Sequence, residues 1–95
     1  MKRLAAHRIF IGRDSYLCNV VVEFDDRFCF QQLFSLVERN VEPANTLFLD
    51  EDIFLMKSGE NPSEASPFLP TIGEKIDIYL RKENSGEIRF IIYQS

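Results

Sequence analysis

Phe28-Cys29-Phe30-Gln31-Gln32-Leu33-Phe34-Ser35-Leu36 is the stretch on which the fold turns. Read with a period of two, it puts Phe28, Phe30, Phe34 and Leu36 on one face, interrupted only by Gln32. Read with helical spacing, Phe30, Leu33, Phe34 and Val37 share a face instead. A strand here gives an all-β domain. A true helix over 30–39 gives an α+β ubiquitin-like β-grasp. The aromatic and β-branched residues ahead of the stretch favour the strand. Ser35-Leu36-Val37-Glu38 has capping-box spacing, which predicts one short helical turn near Leu36–Asn40.

Working outward, the neighbours keep the same period. Leu17–Phe24 carries three consecutive valines and is joined to Phe28–Phe34 through Asp25-Asp26-Arg27. A three-residue loop pairs Phe24 with Phe28, Val22 with Phe30 and Cys18 with Phe34. Cys18 and Cys29 then lie on opposite faces, too badly aimed for a disulfide. Residues 4–11 end in Arg8-Ile9-Phe10-Ile11 and stop at the turn cluster Gly12-Arg13-Asp14-Ser15. Thr46–Leu49 and Ile53–Lys57 flank Asp50-Glu51-Asp52, read as a hairpin turn. Lys75–Lys82 alternates through Ile76, Ile78 and Leu80, and Glu87–Gln94 through Ile88, Phe90 and Ile92. A loop Asn84-Ser85-Gly86 pairs Leu80 with Phe90 and Ile78 with Ile92. It also sets Arg81 opposite Arg89 and Glu83 opposite Glu87, two like-charge pairs. About seven strands in 95 residues predict an all-β fold, mainly an antiparallel β-sandwich or small barrel, as one domain over 1–95. The one long loop, 58–70, holds three of the four prolines.

Composition excludes several classes. Lys plus Arg is 11 against 15 for Asp plus Glu, a net charge of −4. That argues against a nucleic-acid partner, whose binding rests on neutralising phosphates. A single-strand platform of Phe and Tyr is the weakest reading for the same reason. No apolar run approaches the ~18 residues of a membrane span. Arg8 and Arg13 interrupt any signal-peptide core, so a cytoplasmic protein is expected. Residues 14–64 carry eleven acids against three bases, read as a solvated surface.

Catalytic groups are sought and not found. His7 is the single histidine, and no Cys-x-x-Cys occurs, so no zinc set assembles. His7, Asp14 and Ser15 form a triad only on paper, because nothing orders them for proton transfer. Four scattered glycines make no phosphate loop. Asp50, Glu51 and Asp52 lack the spaced ligands and central glycine of a calcium loop. The expectation is a non-enzyme with no metal and no cofactor. Its candidate partner contacts are Phe68 and Leu69, held between Pro67 and Pro70, together with Ile91 and Tyr93 on the second apolar face of the last strand. They point to an unidentified protein partner or a homodimer. The alternative is a small-molecule-binding domain using Tyr16, Tyr79 or the acidic turn, or a remnant of a hydrolase.

Ala6-His7-Arg8-Ile9-Phe10 followed by Asn19-Val20-Val21-Val22-Glu23-Phe24-Asp25-Asp26 resembles the opening of metal-dependent amidohydrolases of the urease and dihydroorotase type. In that family a short antiparallel β-sandwich precedes a catalytic barrel. Glu42 to Asp50 stands where the family's turn leads to its metal-binding histidines, and no histidine follows His7. The chain more closely resembles short bacterial proteins that share this opening and end in a C-terminal hairpin. The resemblance covers about half the chain. It implies a β-sandwich (composite) domain without catalytic machinery, and it carries no site residue over.

Overall fold

The computed structural model describes residues 1–36 and 46–94. Among these residues seven strands build one sheet: β1 (Lys2–Phe10), β2 (Tyr16–Phe24), β3 (Phe30–Ser35), β4 (Thr46–Leu49), β5 (Asp52–Lys57), β6 (Ile76–Asn84) and β7 (Glu87–Ile92). Their order is β3-β2-β1-β5-β6-β7, with β4 also paired to β1. The all-β reading holds. Phe30–Ser35 is strand, which removes the helix that a β-grasp needs there. The helical turn expected over Leu36–Asn40 falls, beyond Leu36, outside the described residues. Among the described residues no helix is long and apolar enough to cross a membrane.

The sheet is mixed rather than wholly antiparallel. β1 runs parallel to both β4 and β5. The hairpin expected around Asp50-Glu51-Asp52 is therefore corrected. β4 and β5 follow each other along the same edge of β1, and Ala6↔Leu49 gives way to Ile9↔Ile53 with one extra residue on the β4–β5 side. Such an offset re-aims side chains in the manner of a bulge. Within β1 the alternation slips at His7, opposite Asn19 at φ 54°, so that Leu4 and Ala6, then Ile9, reach the same core cluster. The sheet curls until Cys29 bridges Lys75, with Phe30 N–H donating to the Glu74 carbonyl at 2.8 Å and Ile76 N–H to Phe28 at 2.9 Å. These bonds draw β3 and β6 together at one end without making a closed barrel.

Both hairpin registers differ from the expected ones. Phe24 pairs with Phe30 and Val22 with Leu33, across a bulge between Glu23 and Phe24. The cause is the Asp25 carboxylate, whose Oδ1 accepts the N–H groups of Arg27 at 2.8 Å and Cys29 at 2.9 Å. That Asx-type turn holds Phe28 at φ 61° and lengthens the loop. Both cysteines are free thiols. At the C-terminal hairpin the loop has two residues, Ser85 at φ 54° and Gly86 at φ 82°. Positive φ at both centres is the type I′ turn whose twist suits a hairpin. It pairs Asn84 with Glu87, Arg81 with Phe90 and Leu80 with Ile91. The shift of one residue moves Ile88, Phe90 and Ile92 to the opposite face from Leu80. It also dissolves the expected Arg81–Arg89 and Glu83–Glu87 pairs, leaving Lys82 opposite Arg89.

The two faces carry two cores. Leu4, Ala6, Ile9, Val20, Val22, Phe24, Phe30, Ile53, Leu55, Ile76 and Ile78 fill the concave face. On the other face Phe10, Phe54 and Met56 pack with Ala65, flanked by Tyr79 and Phe90. Ala65 comes from the 58–70 loop, which enters that face through a 3-10 turn at Pro62–Glu64. Asn61 caps the turn by accepting the Ser63 N–H at 3.0 Å. The loop is pinned at Phe68, whose N–H donates to Ile11 at 2.7 Å. A Cβ on Gly12 would stand 3.3 Å from Pro67, so a glycine allows this close approach.

Candidate functional site

Among the described residues β7 is the last strand of the sheet, and only β6 pairs with it. Tyr93 N–H donates to Ile78 at 2.7 Å, so residues 93, 91, 89 and 87 turn their backbone groups toward β6. Ile88, Phe90 and Ile92 then turn theirs outward, along the open edge. Three isoleucines stay half-open to solvent there: Ile88 at 43%, Ile91 at 40% and Ile92 at 42%. No proline interrupts this strand and no bulge twists it away, the usual devices that blunt an edge.

The four predicted contact residues are placed differently. Ile91 lies half-exposed on the concave face beside Leu80. Tyr93 packs against the concave core and meets Phe28 edge-on at 6.4 Å. Phe68 folds back onto the same core, whereas Leu69 is 63% exposed. Phe68 and Leu69, adjacent in sequence, thus have different environments.

Beside β7, on the convex face, sits a charged and aromatic cluster. The β1–β5 register puts Arg8 next to Asp52, and Arg8 grips that carboxylate with two bonds, Nε to Oδ1 at 3.2 Å and Nη2 to Oδ2 at 2.6 Å. The hydrogen bond and charge of Asp52 push the Arg8 guanidinium further above its ordinary value. Arg81, opposite Asp52 on β6, lays its guanidinium over the Phe10 ring at 4.2 Å. Phe10 in turn touches Tyr16, with centroids 5.1 Å apart. Tyr79 closes the row, its hydroxyl pushed up by burial and then by the charge of Asp77.

Two concavities adjoin this cluster. One is an open ledge of about 560 Å³ lined by Arg8, Asp50, Glu51, Asp52, Arg81, Lys82, Glu83 and Asn84. The carboxylate trio singled out in the sequence lies here. Asp52 is bound by Arg8, and Glu51 lies 3.8 Å from Lys82. Among the described residues, no group of three His, Cys, Asp or Glu side chains is arranged around a metal position. His7 is exposed on β1, and Asp14 and Ser15 lie in the turn beyond that strand's end. The second concavity, about 170 Å³, lies under the Pro62 turn and is lined by Arg13, Phe54, Pro62, Ser63, Arg81, Ile88 and Phe90.

The sequence reading missed Arg81, Arg13, Phe54 and Phe90 as neighbours. For Arg81 and Phe90 the signal is the length of one turn. With Ser85-Gly86 as a two-residue loop, Phe90 falls opposite Arg81 instead of Leu80. Comparison with protein-family models, with curated proteins and with solved structures finds no match to this chain.

Proposed function

We propose that the chain is a non-enzymatic β domain that acts through protein contacts, made by adding a strand to the open edge of β7. The observation that carries this reading is the outward-turned backbone of Ile88, Phe90 and Ile92, flanked by half-exposed isoleucines on both faces. An edge of this kind takes an extended partner segment by main-chain hydrogen bonds, with side-chain pockets adding selectivity. A second copy fits the edge by its own sequence. In an antiparallel two-fold pairing centred on Phe90, Ile88 meets Ile92 of the other copy and Phe90 meets Phe90. The resulting convex-face row is apolar throughout. Contacts of this size are small beside the ~1,200–2,000 Å² of a stable complex, so a weak, concentration-dependent dimer is the expected form.

The test is mass in solution by light scattering, measured over a wide concentration range, for the native chain and for Ile92→Pro. The Ile92 N–H turns away from β6, so proline there removes an edge donor and spares the hairpin ladder. A dimer that grows in with concentration and disappears in Ile92→Pro supports the reading. A native chain that stays monomeric throughout, or a dimer indifferent to the substitution, overturns pairing of copies through β7.

A further inference from the structure

We propose that the 170 Å³ cleft beneath the Pro62 turn is a binding site for a small aromatic carboxylate, one ring carrying one carboxylate group. The inference does not rest on edge pairing. It starts from Arg81, whose side chain is only 9% exposed. Its nearest carboxylate oxygens, Asp52 Oδ2 and Glu83 Oε2, both stand at 3.9 Å, beyond hydrogen-bond length. A guanidinium offers five N–H donors in a fixed fork, and Arg81 makes no hydrogen bond among the described residues. Desolvating a charged donor without an acceptor is costly, so such a group is poised for an anionic ligand. The stack on Phe10 at 4.2 Å fixes its plane in advance.

The cleft supplies the rest of the recognition. Phe54 and Phe90 meet edge-to-face at 5.3 Å and, with Ile88 and Pro62, form apolar walls. The volume is close to the ~150 Å³ that accommodates a benzene ring in an apolar protein cavity. Arg13 is exposed and makes no ion pair among the described residues, so a second guanidinium borders the same space, beside Arg81 with its two long ion pairs. Asp52 and Glu83 line the neighbouring ledge and not this cleft. The lining of the small cleft is therefore cationic and apolar in a chain whose net charge is −4. A cation is repelled by that lining, and a neutral ring leaves the Arg81 donors unmet. A ring carboxylate satisfies both halves, because its planar oxygens match the guanidinium fork.

The experiment titrates the full chain with 3-phenylpropanoate and with its neutral amide, by calorimetry and by amide chemical shifts. The acid should bind saturably and about tenfold or more tighter than the amide, the usual scale of a charge-assisted hydrogen bond. Arg13→Gln and Arg81→Lys should each remove most of that preference and leave the amide unchanged. Arg81→Lys keeps the charge and loses the fork, and its melting curve checks folding. If it does not fold, Arg13→Gln, on an exposed side chain, decides alone. Ile92 does not line the cleft, so Ile92→Pro should bind the acid as the native chain does, which separates this site from the β7 edge. Equal binding of acid and amide, or no saturable binding up to about 10 mM, overturns the assignment.

Discussion

β1 and β7 are both rich in apolar residues, and the sheet treats them in opposite ways. β1 is paired along both sides, by β2 on one and by β4 then β5 on the other. Its Ile9 and that residue's parallel neighbour Ile53 are completely enclosed. Among the described residues β7 is paired along one side only, and its isoleucines remain half-open. The difference teaches that an apolar strand is core or contact surface according to its place in the strand order. The side chains alone do not decide it.

The largest expected effect breaks the comparison at its centre. Ile53→Ala should cost about 2–4 kcal/mol, because an enclosed site relaxes only partly around the missing methyl groups. Ile91→Ala on the β7 hairpin should cost less than about 1 kcal/mol, because water already reaches that residue. Chemical denaturation of the two variants measures the contrast. Similar losses would show that the C-terminal hairpin is packed as tightly as the centre.

A smaller effect separates the two halves of the proline-flanked pair. Phe68→Ser should destabilise by about 1–2 kcal/mol, since its ring packs on the concave core. Leu69→Ser should stay within about 0.5 kcal/mol, as exposed substitutions usually do. Thermal melting of each single variant is sufficient. A Leu69→Ser loss as large as that of Phe68→Ser would mean that the loop packs as a unit.

The smallest effect sharpens the contrast between polar groups inside and outside the sheet. Burial by itself would raise the Glu23 carboxyl, but the hydrogen bonds from Arg3 and Gln32, with the Arg3 charge, outweigh it and hold the group below the ordinary range. A lowered folded value means the stabilisation is present above the unfolded value of about 4.3 and is lost as pH falls through the folded one. Stability should therefore drop as acid is added below about pH 5, and the drop should be shallower in Glu23→Gln. Denaturant midpoints measured from pH 6 downward test it. Identical slopes for the two proteins would remove Glu23 from the acid response. Asp25, bonded by the Cys29 and Arg27 N–H groups, is lowered in the same direction.

Much of the fold was legible because strand periodicity is local. The alternation of Ile76, Ile78 and Leu80 and the valine run at Val20-Val21-Val22 mark their strands directly. The short apolar run Thr46–Leu49 coincides with β4. The candidate cleft was not legible, because it depends on which residues face each other. Asp25 used its side chain to lengthen one turn, while Ser85 adopted a conformation that a non-glycine residue seldom takes and shortened the other. Each choice displaced a whole row of pairs. The parallel run of β4 and β5 along β1 joins segments more than forty positions apart, and no local spacing records that.

The sequence by itself determined that this is a strand-built chain with an acidic balance and a single histidine. Those properties follow from composition and from alternation over a few residues. Only the tertiary structure decided that Phe90 lies opposite Arg81, that Phe68 turns inward while Leu69 does not, and that β7 is left at an edge. The physical reason is that register and strand order are set by turn geometry and by burial summed over distant segments. A shift of one residue costs the local pattern nothing, yet it exchanges the two faces of the sheet.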